Sequence, residues 1–443
     1  MRDLTKGNII KCILRFAFPI FIANVLQLTY SFVDTRMVGE FLGEKALAAV
    51  GLTNPLNTLV VGLLIGITNG FSVITARYFG ANDKKGLLHA AAASYVLGVP
   101  VAAVLTVLGI VFLRPLLKML NTPDELIGQA YSYIVIIFAG MFISLFYNVC
   151  MGILRAIGDT VTPLVFLAMS AVINIAGDYL CLGIWRMDVR GAAYATLVSQ
   201  LIAAVVCIIY SFKRYECIRF GRKHCRVDKK LAKNMLSSGF SMGFMNSIVS
   251  LGTVALQGAI NTFGSDTIVA HSAARKITEL FMMIFGVFGM TMSTFCGQNI
   301  GAGRYSRVRE GLKKSILMSF VWCIGTMIAA WTAGPQLIHL VTGSNISAVL
   351  GTGALYLRID TLFYFVPAMI SIIRNSMQGI GDHITPIVSS MIELIGKVLV
   401  VILLVPHFQY MAVIMAEPVV WILMVIPLIV NIVRSPVLRQ EDR

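Results

Sequence analysis

The sequence predicts an all-α, polytopic membrane protein: twelve transmembrane helices in two pseudo-symmetric six-helix lobes. Three observations predict it. Only 13% of the 443 residues are charged and 57% are hydrophobic, whereas soluble domains are about 25% charged. Apolar runs of about 18 residues or more recur along the whole chain, each long enough to cross a bilayer. And the chain repeats itself: "AIGDTVTP" (156–163) returns as "GIGDHITP" (379–386), "YFGANDKKGL" (78–87) as "NIGAGRYSRV" (299–308), and "FLGEKALAA" (41–49) as "TFGSDTIVA" (262–270), all at one offset to within two residues.

The spans lie near 9–36, 46–73, 87–113, 126–149, 163–184 and 191–212, then 235–262, 267–297, 312–333, 351–374, 387–405 and 411–433. Several exceed the roughly 20 residues a crossing needs, so tilt or kinks absorb the excess, with Pro19 the expected hinge of the first span. Polar "MRDLTKGN" runs straight into that span with no small-residue cleavage site, so the span is expected to be retained. The repeat divides the chain into an N-lobe (1–213), a basic linker (214–234), a C-lobe (235–434) and a tail (435–443). Six spans per half give both halves the same orientation, a parallel repeat. Two similar bundles meeting at a midline cleft can rock against one another, the common design for alternating access.

Orientation follows from Lys and Arg. Residues 213–234 hold nine of them, 298–314 hold Arg304, Arg307, Arg309, Lys313 and Lys314, and Arg77, Lys84 and Lys85 separate spans two and three. Twelve alternating spans place these loops and both termini on one side, expected to be cytoplasmic in the plasma membrane. The net charge of +15 is therefore a topology signal and excludes a nucleic-acid partner as its explanation. The eight cysteines and six histidines form no zinc template, HExxH or Ser-His-Asp pattern, so no enzyme and no cofactor are expected.

The residues that stand out are acids inside apolar runs. "VINIAGDYLCLG" (172–183) carries Asp178 with Asn174 one helical turn before it. An acid at mid-helix costs about 2.5–3.5 kcal/mol on insertion scales, and such residues mark ion pathways. Asp178 is roughly 22 Å into span five at 1.5 Å per residue. Asp34 near the end of span one and Thr196 near the start of span six fall at the same depth. Two carboxylates with amide and hydroxyl oxygens suit a proton or a dehydrated Na⁺, and the all-oxygen set argues against zinc or copper. The competing reading pairs Asp34 with Arg36 and makes Asp178 a buried structural hydrogen-bonder.

Asn24, Gln27, Ser31 and Asp34 fall on one stripe of span one; Asn246, Ser250, Thr253, Gln257 and Asn261 form a similar stripe in span seven. With Asn54 and the flexible thioether of Met283, these are the candidate cavity-lining residues, suited to amphipathic organic cations. The C-terminal half has Glu279, Glu393 and Glu417 within its spans. Glu393 has Lys397 and Glu279 has Arg275 at helical pairing distance; Glu417 has no local partner, and Asp360 beside Arg358 is expected near the outer surface.

Together these features resemble the multidrug and toxic compound extrusion (MATE) family. "FVDTRMVGEFLG", "GILRAIGDTVTP", "INIAGDYL", "GAAYATLVSQ", "GQNIGAGR" and "AEPVVW" keep that family's order over essentially the whole chain. The resemblance implies two six-helix lobes around a V-shaped central cavity and export of amphipathic, often cationic, drugs in exchange for H⁺ or Na⁺; a monomer is expected. In one branch the coupling cation binds positions matching Asp34, Asn174, Asp178 and Thr196, and bending has been proposed at the position of Pro19. The span-seven glutamate and span-ten aspartate of another branch have no counterpart, since "FYFVPAMIS" (363–371) holds no acid. The nearest rival is a flippase for a polyprenyl-pyrophosphate or oligosaccharide lipid. It would need buried Arg or Lys against an anionic headgroup, whereas the basic residues here are expected mainly in loops.

Overall fold

A computed structural model describes residues 3–120, 122–260 and 262–442, apart from the side chains of 253–255, 257 and 258. These residues fold into fourteen α-helices and no strand. They are α1 (Ile9–Leu42), α2 (Glu44–Gly80), α3 (Lys84–Met119), α4 (Asp124–Ala139), α5 (Met141–Ala156), α6 (Val161–Asp178) and α7 (Val189–Arg214), then α8 (Lys229–Ile260), α9 (Ser265–Gly301), α10 (Tyr305–Thr342), α11 (Ser347–Leu362), α12 (Phe365–Ile380), α13 (Ile384–Leu399) and α14 (Val405–Arg434). Each of the twelve expected spans falls on a helix or on a bent pair. Among the described residues, eight helical runs are long and apolar enough to cross a membrane, or ten with the pairs α4–α5 (bent 50°) and α11–α12 (bent 53°). Two spans merge in that count because Ile384–Arg434 is one helical run, broken only at Gln409. Large apolar side chains such as Phe18, Phe32, Val172, Val321 and Val433 point outward, as expected where the solvent is hydrocarbon.

The chain separates into two compact units. One comprises Phe18–Ser247; the other comprises Ile248–Arg443 together with Leu4–Ala17. Helix α1 runs unbroken through Pro19, and its first turns belong to the second unit. The reason lies in "GQNIGAGR". Gln298 accepts from the Leu4 backbone N–H at 3.0 Å, and Arg307 donates to the carbonyls of Leu4, Lys6 and Gly7 at 3.1, 2.9 and 2.7 Å. Arg304 donates to Thr5 at 2.6 Å. Gln298 and Arg304 of this motif, with Arg307 three residues beyond it, thus clasp the backbone of residues 4–7.

The other repeated motif is a helix start. In "AIGDTVTP" Gly158 takes φ 82°, turning the chain where a side chain would strain. Asp159 then accepts from the N–H groups of Val161 and Thr162 at 3.1 Å each, and from the Tyr215 hydroxyl at 2.6 Å. In "GIGDHITP" Gly381 has φ 100°, and Asp382 accepts from Ile384, Thr385 N–H and Thr385 Oγ1 at 3.0, 3.1 and 2.6 Å. Each aspartate satisfies orphan donors at the head of α6 or α13. Burial pushes the Asp159 carboxyl up, but hydrogen bonds from Thr162 and Tyr215 outweigh it, and the group sits below the usual carboxylate range. Asp159→Ala should cost about 1 kcal/mol. That contribution is present at neutral pH, above the unfolded carboxyl's pKa of about 3.9, and is lost as pH falls through the folded value. Thermal melts of both proteins should therefore diverge at pH 7 and converge in acid; a pH-independent gap would refute the cap as the cause.

Within the first unit α2 and α8 touch through glycine. Gly66 and Gly70 face Gly243 and Gly239, so a Cβ added at Gly66 would lie 2.5 Å from Gly243 Cα, and one at Gly70 2.5 Å from Gly239 Cα. Both helices carry the small-xxx-small spacing that lets backbones approach in membranes. Ser238 uses the proximity to donate to the Gly70 carbonyl at 3.1 Å. Gly66→Ala should destabilise by about 1–3 kcal/mol, whereas Gly62→Ala, with open space around it, should not; equal melting temperatures for the two variants would count against this crossing.

Candidate functional site

Asp178 is the last residue of α6, and a π-helical turn, Tyr179–Ile184, begins directly after it. Such turns displace a helix end and recur at functional sites. Asp178 and Asn174 are buried on one face, as their four-residue spacing requires. With its amide oriented to suit both neighbours, Asn174 donates to Asp178 Oδ2 and accepts from the Thr196 N–H, each at 3.2 Å. The same amide oxygen lies 3.3 Å from Thr196 Oγ1. Asp34 of α1 faces Asp178 within hydrogen-bonding reach. One oxygen of each acid, Oδ1, is buried without a partner.

Two facing carboxyl groups repel unless a proton or a metal cation lies between them. The unpartnered oxygens and the all-oxygen surroundings fit either ion. No basic side chain lies among the groups acting on Asp34 or Asp178. Arg36 is turned away, 3.8 Å from the exposed Glu40. Val38, Leu182 and Ala192, each four residues along its helix from Asp34, Asp178 or Thr196, belong to a buried apolar cluster with Ala46 and Val189. Two tyrosines complete it and were missed in the sequence. Tyr30, one turn before Asp34, reaches Thr196, and Tyr133 of α4 lies beside Asp34, Tyr30 and Asp178. The spacing of Tyr30 from Asp34 was the available signal.

Of the candidate cavity residues, Asn24 and Asn246 are half-buried and Gln27, Ser31 and Asn54 exposed in the first unit; Ser250 and Met283 are half-buried in the second. The side chains of Thr253 and Gln257, and Asn261, lie outside the described residues.

The second unit corrects several expectations. Lys397 donates to Glu393 Oε1 at 3.0 Å, as the helical spacing required. Glu417, which has no partner near it in sequence, accepts from Arg275 NH1 at 2.9 and 2.8 Å and lies 3.5 Å from Lys397 Nζ. Glu279 is exposed and does not hold Arg275. A buried carboxylate left unpaired costs far more than an exposed one, so the guanidinium turns inward. Asp360 is fully buried rather than near the surface: it continues the inward stripe Val349, Gly353, Tyr356 of α11, and Thr278 lies 3.3 Å from it. Arg374 reaches Glu393 at 3.7 Å. Basic groups are thus not confined to loops. Arg374 and Lys397 are buried, Arg275 is mostly so, and Arg155 donates to Asn69 at 2.9 Å.

The family model described as MatE matches residues 19–180 and again 241–403, one copy per half. The chain is a member of the MatE family. Among curated proteins this MatE chain is 26% identical to the probable multidrug resistance protein YpnP of Bacillus subtilis, over 88% of this chain and 87% of that one. It is 26% identical to the probable multidrug resistance protein NorM of Thermotoga maritima, over 90% and 86%. A FAD transporter of Shewanella oneidensis shares 25% over 72% and 71%. Among solved structures, an outward-facing multidrug resistance MATE transporter of the MOP superfamily superposes with TM-score 0.90 at 23% identity, covering 99% of this chain and 98% of that one. A MATE protein in a bent conformation gives 0.88 at 23%, covering 98% and 97%. These two establish the MatE fold for this multi-pass membrane transporter.

Proposed function

We infer that this MatE protein is a secondary active antiporter that exports amphipathic, often cationic, organic compounds in exchange for H⁺ or Na⁺, from a plasma membrane in which both its termini are cytoplasmic. The observation that carries this is the facing of Asp34 and Asp178, with a buried unpartnered oxygen on each and no basic residue between them. The curated relatives named as multidrug resistance proteins supply the substrate class.

With the site ionised, the paired negative charge favours the state that accepts an organic cation. When a proton or Na⁺ enters, the burial penalty of the acids falls, Asn174, Thr196 and Tyr30 re-form their hydrogen bonds around a pair that shares the ion, and the drug loses affinity. Antiport needs only that ion and drug favour different states. Exchange of one proton for one monovalent cation moves no net charge, so ΔpH drives it, at about 1.4 kcal/mol per pH unit.

The decisive experiment is drug uptake into inside-out vesicles with pH and Na⁺ gradients imposed separately. Uptake under neither gradient would overturn the antiport reading. The rival lipid flippase draws on the buried Arg275, Arg374 and Lys397, yet Glu417 and Glu393 already pair with them. Flipping of a labelled polyprenyl-pyrophosphate lipid, insensitive to organic cations, would favour it instead.

A further inference from the structure

The two halves carry the same helix pair with opposite charge chemistry. The register that aligns "AIGDTVTP" with "GIGDHITP" continues through α6 and α13 without a break, and there Asn174 corresponds to Lys397. Both side chains are buried, and a π-helical turn follows each helix. In the first unit the position holds an amide beside two acids with no internal counter-charge. In the second it holds an ammonium, 3.0 Å from Glu393 and 3.5 Å from Glu417.

We propose that Lys397 is a tethered cation: its ammonium fills, in the second unit, the place an exchangeable ion fills in the first, and its removal uncovers a latent H⁺ or Na⁺ site between Glu393 and Glu417. The inference rests on the first-unit ion site described above. Charge balance supports it. The groups facing Lys397 and its two glutamates are Arg275 and His271 of α9, Tyr356 and Asp360 of α11, Arg374 of α12 and Glu417 of α14. The acids Glu393, Glu417 and Asp360 are thus matched by the bases Arg275, Arg374 and Lys397. Without Lys397 one negative charge is left over in a buried cluster. Such a cluster must recruit a cation or take up a proton. The fold also makes room for the lysine stem: a Cβ added at Gly252 of α8 would lie 3.1 Å from Lys397 Cδ.

The pairing assigns the ion-exchanging role to the first unit alone and identifies the residue that keeps the second out of it. The test is thermal melting of the full-length protein in detergent, with pH varied in one arm, kept above the ordinary carboxylate range so that the Asp159 cap stays ionised, and NaCl against N-methyl-D-glucamine chloride in the other. Wild type should show an ion-dependent melting temperature that Asp178→Asn removes; if it survives that change, the first-unit reading fails whatever Lys397 does. In the Asp178→Asn background, Lys397→Ala should restore an ion-dependent melting temperature, and Lys397→Arg should not. A lysine with a purely structural role predicts a lower melting temperature for Lys397→Ala with no ion dependence, and that result overturns the proposal. If Lys397→Ala does not fold, Lys397→Gln takes its place in the same background. Ethylammonium provides a further check: it should raise the melting temperature of the truncated variant but not of wild type, and failure to do so contradicts the tethered-cation role.

Discussion

Asp178→Asn should abolish gradient-driven export while leaving drug binding measurable. Asparagine keeps the size of the side chain and can hydrogen-bond to Asp34, so the variant imitates the ion-occupied state permanently. The orphan Oδ1 of Asp178 and its facing acid are what an incoming ion would satisfy, and the amide removes both the charge and the titration. Loss of even 1.4 kcal/mol of preference between ion-bound and ion-free states is a factor of about 10 in coupling, and removal of the group altogether should exceed that. Proteoliposomes at matched protein content, loaded with a fluorescent organic cation, give the rate under imposed ΔpH or ΔNa⁺. Asp34→Asn should behave alike, because neither acid can hold an ion between them once its partner is neutral. Tyr30→Phe should slow export less, since Thr196 retains its bond to the Ala192 carbonyl. Wild-type rates from both aspartate variants would leave the site without a role in coupling.

The largest effect on stability is expected at Glu417. It lies between Arg275 and Lys397, receiving 2.8 and 2.9 Å contacts from the first and a 3.5 Å contact from the second. Glu417→Gln leaves two buried cations short of one negative charge, and breaking a buried ion pair from one side costs about 3–5 kcal/mol. The exposed pair Arg36–Glu40 supplies the contrast, because Glu40→Gln should change stability by no more than about 1 kcal/mol. Replacing Arg275 and Glu417 together by Met and Leu should recover part of the loss, since an apolar pair of similar volume removes the stranded charge. Melting curves of the purified single and double variants decide the matter; a double variant less stable than Glu417→Gln would mean that the pair adds more than its own neutrality.

Much of this was visible in the residue order. Span positions follow from hydrocarbon thickness alone, so each expected span lies on a helix or a bent helix pair. Asp178 was conspicuous because nothing in "VINIAGDYLCLG" other than Asn174 and Asp178 is strongly polar, and the spacing of those two fixed a shared face. What the sequence hides is partnership across helices. Arg275 has Glu279 one turn away, and only the fold reveals that Glu417, far along the chain, takes the guanidinium. Asp360 misleads similarly: its neighbour Arg358 suggests a wet surface, while the inward stripe through Tyr356 buries it. Tyr133 carried no signal at all, because tyrosine is ordinary in membrane helices. A count of charges inside the spans of the C-terminal half would have hinted at the buried ladder, since its acids and bases nearly balance.

The clasp on residues 4–7 has a consequence for how the chain is made. Leu4 and its partner Gln298 are separated by 294 positions, so the opening segment leaves the ribosome long before anything exists to hold it. The Phe18–Ser247 body can finish assembling while that segment waits, and its docking becomes one of the last events in biogenesis. Contacts of such sequence separation are slow to close, and during translation the exposed backbone of residues 4–7 is where a chaperone or protease would find this protein unfinished.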